Sequence, residues 1–253
     1  MTPSLETRGL TVRFGGHLAV DSVTCAFRPG ELTAIVGPNG AGKTTYFNLI
    51  SGQIAATAGT VHLNGRDITR MSVPARTAAG LGRAFQLTNL FPGLTVLENV
   101  RLVVQARRGR GFSLLSVAAR HRDLTEEAAG LLDRVRLGSQ AHLAVAALPH
   151  GDQRKLEVAL MLALEPKVYM FDEPTAGMSV DEAPVILDLI AAIKADPAAT
   201  VLLVEHKMDV IRSLADRIVV LHNGALVADG PPATVMASDV VREAYLGREL
   251  TDV

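Results

Sequence analysis

The segment Gly37-Pro-Asn39-Gly40-Ala-Gly42-Lys43-Thr44-Thr45 carries a glycine, four free positions, then glycine, lysine and threonine, the spacing of a phosphate loop. Its glycines let the backbone curl where side chains would block it, so successive N–H groups converge on phosphate oxygens. Lys43 adds a mobile positive charge. The helix that begins at about Gly42 aims its unpaired N–H groups and its dipole at the same anion, and the Thr44 hydroxyl can coordinate magnesium. Asn39 and Thr45 complete the set of ligand contacts expected of the loop.

Two acid-bearing strand ends offer the complementary chemistry. Val168-Tyr-Met-Phe171 is a continuous apolar run followed by Asp172-Glu173-Pro174, as a central parallel strand emerging at the ligand edge of a sheet would be. Asp172 suits Mg²⁺, directly or through water, and Glu173 suits orienting and deprotonating the water that attacks a γ-phosphate. The plainer alternative is a pair of acids capping a helix. Val201-Leu-Leu-Val204 delivers Glu205-His206 to the same edge, where His206 is either structural or a contact for the γ-phosphate. Phe14, just before Gly15-Gly16, either stacks on an adenine ring or is a core residue of its strand.

These groups need a sheet to hold them. Leu32-Thr-Ala-Ile-Val36 reads as a buried parallel strand ahead of the loop, and Phe47, Leu49 and Ile50 as a helix ending near Gly52. Residues 5–36 alternate in short segments broken by Gly15-Gly16 and Pro29-Gly30, which predicts an antiparallel sheet. Asn64-Gly65 and Asn223-Gly224 predict hairpin turns. Gly80-Leu-Gly-Arg83-Ala-Phe-Gln86 is strand-like and ends in a polar residue. From about Thr88 to Pro166 the period becomes helical, with Leu94, Leu97 and Val100 in one run and Leu131, Leu132 and Val135 in another. Between them lies Arg107-Arg-Gly-Arg110-Gly, either solvated surface or a contact for a partner protein or lipid headgroups. Val185, Ile186, Leu189, Ile190 and Ile193 mark a covering helix, and Ser238 to Leu250 a short helix and an extension. The fold class is α/β: a P-loop NTPase core, mostly parallel, with an antiparallel N-terminal β-subdomain. It is expected as one domain over 1–253 with a helical subdomain inserted at roughly 88–166.

At 253 residues the chain can bury a sizeable core. A net charge of −1 gives no basic field for nucleic acid, and 4 % aromatic residues offer few stacking platforms for bases. A single cysteine, Cys25, excludes an intrachain disulfide and fits a reducing compartment. No apolar stretch reaches the length of a membrane span, and the first residues lack a signal-peptide pattern, so the expectation is a cytoplasmic protein that serves any membrane process by docking.

The order and spacing of the phosphate loop, Gln86, Leu148-Pro-His-Gly-Asp-Gln-Arg154, Asp172-Glu173 and His206 resemble those of ABC-transporter ATP-binding subunits across nearly the whole chain. Arg13-Phe-Gly-Gly16, Gly82-Arg-Ala-Phe-Gln86, Glu205-His-Lys-Met208 and Ala244-Tyr-Leu-Gly247 resemble one branch, the ATPase of Liv-type branched-chain amino-acid importers, a group that also serves amides and urea. The resemblance implies ATP and Mg²⁺ as ligands, permease subunits as partners and a place at the inner face of the cell membrane. It implies that Phe14 stacks on adenine and that Gln86 reaches the metal and couples it to the permease. It also implies that Gly151, in the signature segment, closes on ATP held by a second ATPase subunit, with a helix starting near Asp152 aimed at the γ-phosphate.

Two departures from that pattern stand out. Pro149, His150 and Asp152 replace signature residues that usually read serine, glycine and glutamine, and Ser179 stands where aspartate is usual. Proline cannot donate a hydrogen bond, and a carboxylate near phosphates repels unless screened. The chain's own nucleotide-binding residues are complete while its signature is altered, which favours a heterodimer with a related ATPase over a homodimer. Two other readings remain open: the ATPase of a lipid or polysaccharide exporter, and a nucleotide-sensing module that does not hydrolyse. The transported solute is not legible in the chain.

Overall fold

Every residue of β3 (Glu31–Val36) after Glu31 is buried, as a strand covered on both faces requires. It pairs in parallel with β8 (Thr200–Val204) on one side and β9 (Arg217–His222) on the other, and β8 pairs in parallel with β7 (Val168–Asp172). β10 (Ala225–Gly230) returns antiparallel on β9. With β6 (Leu81–Ala84) at the far edge, the sheet has the order β10-β9-β3-β8-β7-β6. This arrangement brings the carboxyl ends of β3, β7 and β8 to one edge, where the crevice of an open α/β sheet takes its ligand.

The computed structural model describes residues 2–84, 90–109 and 122–238, and the chain divides into two units. The first is Met1–Arg83, Lys167–Glu173 and Ile193–Val253; the second is Ala84–Pro166 and Pro174–Ala192. The helical unit is therefore not only the insertion expected at 88–166, since it also takes in 174–192.

In the first unit a second, antiparallel sheet has the order β2 (His17–Phe27), β1 (Leu5–Phe14), β4 (Ala58–Leu63), β5 (Arg66–Asp67). Both Asn-Gly pairs turn with positive φ, 50° and 78° at Asn64-Gly65 and 48° and 80° at Asn223-Gly224, as hairpin turns of that sequence do. One apolar cluster joins Leu5, Val20 and Phe27 of the antiparallel sheet to Ile35, Val204 and Leu221 of the parallel one through Tyr46, Phe47 and Ile50 of α1 (Lys43–Ser51). Each such side chain contributes about 1.5–3 kcal/mol by leaving water. The helix that opens at the phosphate loop is thus fixed by its apolar face. Its carboxyl end is fixed by Arg76 of α2 (Val73–Ala78), whose guanidinium donates to the Leu49 and Ile50 carbonyls at 2.8 and 2.5 Å. The short helices α7 (Met208–Leu214) and α8 (Pro232–Met236) complete this unit.

The second unit is built on α3 (Val96–Arg107), α4 (Arg122–Arg134), α5 (His150–Leu164) and most of α6 (Ala183–Lys194). Thr95 opens α3 with a capping box, its side chain accepting from the Glu98 N–H while Glu98 reaches back to the Thr95 N–H. Val96, Val100 and Val104 of α3 and Leu124, Ala128 and Leu132 of α4 are fully buried at helical spacing. Leu94 and Val135 fall just outside these helices, because the capping residue Thr95 and the end of α4 cut the periodic runs short. Arg107 pairs with Glu127 and Glu165, and Arg108 with Asp123 and Glu127. These two arginines are engaged in intrachain ion pairs; Arg110 lies outside the described residues. All five stripe residues of α6, from Val185 to Ile193, are buried. Among the described residues no helix is long and apolar enough to cross a membrane.

Candidate functional site

The loop between β3 and α1 closes tightly on its surroundings. A Cβ on Gly37 (φ 152°) would lie 2.1 Å from the Leu221 carbonyl oxygen, and one on Gly42 (φ 97°) would lie 2.5 Å from that of Ala19. Only glycine fits either place without moving β9 or β2. Lys43 turns its ammonium inward, donating to the Gly37 carbonyl at 2.6 Å and the Pro38 carbonyl at 3.0 Å. Burial pulls the Lys43 pKa down, and the nearby carboxylates of Glu173 and Asp172 oppose the shift. An ammonium so placed lacks full water solvation and gains from a further anion.

A cavity of about 380 Å³ opens over the loop, lined by Asn39, Gly40, Gly42, Lys43, Thr44 and Thr45. Glu173 and His206 line it as well, as do Phe14, His17 and Ala19. Phe14 is 50 % exposed, which removes the core reading and leaves an aromatic face on the cavity. Nothing in the sequence singles out His17 or Ala19; both enter because β1 ends at Phe14 and the chain turns there into β2.

His206 Nε2 and Glu173 Oε1 are 2.8 Å apart. The two residues follow the ends of neighbouring parallel strands, and their backbones are pinned separately. Glu173 sits in the left-handed region at φ 50° with its N–H on the Val204 carbonyl at 2.9 Å; His206 donates its N–H to the buried Glu205 carboxylate at 2.7 Å. A non-glycine residue held at positive φ costs about 1–3 kcal/mol and persists where the surroundings enforce it. Such a carboxylate, oriented by an imidazole and open to a cavity above a lysine and helix N-terminus, can take a proton from water beside a bound phosphate.

Asp172, one residue earlier, is buried, and its Oδ2 accepts from Arg83 Nη2 at 2.9 Å with both side chains 6 % exposed. Burial raises the Asp172 pKa, and the Arg83 guanidinium opposes the shift. The sequence places that arginine only in a strand-like segment and assigns it no role, although a guanidinium inside a short buried strand is itself a signal that a buried anion lies nearby. The donor set suits a hard cation: a threonine hydroxyl at Thr44 and a carboxylate at Asp172, with no cluster of three His, Cys, Asp or Glu side chains among the described residues. Magnesium is held in this way, by one or two protein oxygens plus phosphate and water. Gln86, assigned to the metal by resemblance, lies outside the described residues.

Gly151 belongs to the second unit. α5 begins at His150, two residues before the start expected near Asp152, and Pro149 occupies its N-cap without a side-chain cap bond. Asp152 is screened: Lys155 Nζ stands 2.7 Å from Oδ1 and Gln140 Nε2 2.9 Å from Oδ2. The repulsion expected of that carboxylate is thus met inside the unit, and of the altered signature residues Pro149 remains the one that withholds a donor. Glu182 packs on Gly151, where a Cβ would lie 2.3 Å from its Oε1, and accepts from the Ser179 N–H and hydroxyl at 3.2 and 3.0 Å.

A family model described as "ABC transporter" matches residues 20–176, and one described as "Branched-chain amino acid ATP-binding cassette transporter" matches residues 225–251. The high-affinity branched-chain amino acid transport ATP-binding protein BraF of Pseudomonas aeruginosa is 38 % identical, over 97 % of this chain and 98 % of its own. Among solved structures, the ADP conformation of MJ1267, an ATP-binding cassette of an ABC transporter, aligns with a TM-score of 0.81 at 28 % identity, covering 98 % of this chain and all (100 %) of that one. A dimeric post-hydrolysis structure of the cassette MJ0796, bound to ADP and Pi, aligns with a TM-score of 0.76 at 25 % identity over 90 % of this chain and 98 % of that one.

Proposed function

Since the chain belongs to the ABC transporter family as an ATP-binding cassette, we propose that it is the ATPase subunit powering a branched-chain amino-acid importer, docked on permease subunits at the inner face of the membrane. One observation carries the chemistry: Lys43, Glu173 and His206 line a single cavity over the phosphate loop. The loop N–H groups and Lys43 bind the β- and γ-phosphates, and Phe14 stacks on adenine. Thr44 and Asp172 hold magnesium, which supplies neutralising charge on those phosphates. Glu173, oriented by His206, takes the proton of the attacking water. The Asp172-Glu173 pair with His206 speaks against a nucleotide sensor without turnover, since such a sensor needs no base.

The working assembly is a dimer in which Gly151 and the start of α5 face ATP held by the other subunit. With Asp152 paired with Lys155 and hydrogen-bonded by Gln140, the case for a heterodimer rests on Pro149, which cannot donate to a phosphate. Magnesium-dependent ATP hydrolysis by the purified chain, lost on Lys43→Ala, tests the ATPase reading. Hydrolysis that rises on adding a related ATPase subunit supports the heterodimer, and full activity alone counts against it. Uptake of radiolabelled leucine, isoleucine and valine by cells lacking the chain tests the solute class; undiminished uptake of all three would move the assignment to another importer or to an exporter.

A further inference from the structure

We propose that Arg83 is a positioning residue for the magnesium carboxylate: it holds one oxygen of Asp172 and ties that oxygen to α1, the helix that carries Lys43 and Thr44. The inference rests on the assignment of Asp172 to the metal. Arg83 leaves β6 beside β7 and divides its donors. Nη2 goes to Asp172 Oδ2 at 2.9 Å. Nη1 goes to the Asn48 side-chain oxygen and the Ser51 hydroxyl, both at 2.8 Å. The Phe47 ring lies 5.4 Å from the guanidinium carbon, within cation–π range. Asn48, Ser51 and Phe47 all belong to α1.

The consequence concerns which oxygen is offered. Oδ2 is engaged by the guanidinium, while Oδ1 accepts no hydrogen bond among the described residues and is the oxygen available to a metal ion or its water. A carboxylate at a strand end otherwise turns about its terminal torsion, which is soft and roughly two-fold. Bonded to a fork that is itself fixed on α1, it keeps one orientation relative to that helix, so the two protein oxygens assigned to the metal share one reference. A planar guanidinium holds a carboxylate and two further acceptors in a fixed fork, whereas the three donors of an ammonium rotate about one compact centre. Partners of this kind, outside the ligands themselves, typically govern metal affinity by about 10–100-fold.

The test measures binding of a fluorescent ADP analogue to the full chain in EDTA and across a MgCl₂ titration. Arg83→Met should leave metal-free affinity unchanged and raise the Mg²⁺ half-saturation by about 10–100-fold. Arg83→Lys should give a smaller shift in the same direction at an unchanged thermal midpoint, so it carries the test if Arg83→Met fails to fold. The double variant Asn48→Ala/Ser51→Ala, which keeps the Asp172 pair but loosens its anchor, should also raise the half-saturation. A purely structural ion pair predicts otherwise, with lower stability but equal effects on metal-free and metal-loaded binding; that result, or an unmoved half-saturation in both Arg83 variants, overturns the inference. Wild-type protein whose nucleotide affinity ignores Mg²⁺ overturns the metal assignment and this inference with it. Wild-type dependence that persists intact in the variants overturns the inference alone.

Discussion

His206 Nε2 lies 2.8 Å from Glu173 Oε1, joining the residues that follow β8 and β7 across the mouth of the phosphate cavity. Each side chain is about two-fifths exposed, 40 % and 42 %, so the pair is open to a ligand. Glu173→Gln keeps the size and hydrogen-bonding reach of the side chain but removes its basicity. Phosphate release should fall by about 10²–10⁴-fold with nucleotide binding retained. His206→Ala should also lower turnover, because the carboxylate loses the group that orients it. Turnover left intact in the histidine variant would return His206 to a structural role.

Gly42 and Gly40 both have positive φ, 97° and 80°, but only Gly42 is crowded. Gly42→Ala brings a methyl to 2.5 Å from the Ala19 carbonyl oxygen, whereas at Gly40 nothing lies within 4 Å. Gly40→Ala therefore bears backbone strain alone, about 1–3 kcal/mol, a fall of roughly 2–10 °C in thermal midpoint. Gly42→Ala should fall further and also lose nucleotide affinity, since the steric conflict is relieved only by moving the N-cap of α1. Thermal scans with and without ADP check both variants; equal losses would show that crowding at Ala19 is not what fixes the loop.

Much of this was legible in the chain because the governing signals are local. A buried parallel strand reads as an apolar run, a hairpin as Asn-Gly, and a phosphate loop as spaced glycines, and β3, the two turns and α1 appear where those signals lie. What escaped depended on contacts distant in sequence. Arg83 is 89 residues from Asp172, and nothing in either neighbourhood names the other. Asp152 reads as repulsive in sequence because its screening comes from Lys155 of its own helix and a hydrogen bond from Gln140 in a separate turn. The sequence points to a start of α5 two residues late because Pro149 at an N-cap leaves no side-chain cap to read.

Cys25 is buried beneath Arg217 and Asp229, and its thiol pKa is pushed up to about 12 from the ordinary 9.0, chiefly by burial. Below about pH 9 the thiol is protonated in both folded and unfolded chains and has no linked effect. Between about pH 9 and 12 the unfolded thiol loses a proton that the folded one keeps, so stability falls as pH rises. By pH 11 the loss should reach about 3 kcal/mol, at 1.36 kcal/mol per pH unit. Urea titrations of wild type and Cys25→Ala at pH 8 and 11 isolate it: the difference between the two proteins should shift by that amount. Native protein at pH 8 should also resist iodoacetamide, since alkylation needs an accessible thiolate.

Arg76 is 2 % exposed, and its guanidinium donates to four carbonyls, those of Leu49 (2.8 Å), Ile50 (2.5 Å), Thr69 (2.7 Å) and Met71 (3.1 Å). Two of these belong to the last turn of α1, whose carbonyls have no partners within the helix, and a cation there also meets the negative end of the helix dipole. Even Gly52 is shaped by it, for a Cβ at that position would lie 2.7 Å from Arg76 Nε. Arg76→Met fills similar space but abandons the carbonyls, of which Leu49 keeps the Gly52 N–H at 3.3 Å, so unfolding free energy should drop by about 3 kcal/mol or more, from the other acceptors left stranded at about 1–3 kcal/mol each. Arg76→Lys restores the charge with fewer donors and should recover part of the loss. Because the phosphate-binding end of α1 is untouched, ADP affinity of the folded fraction should not change in either variant. A urea midpoint at the wild-type value in Arg76→Met would mean that water satisfies those carbonyls and that α1 is held by its apolar face alone.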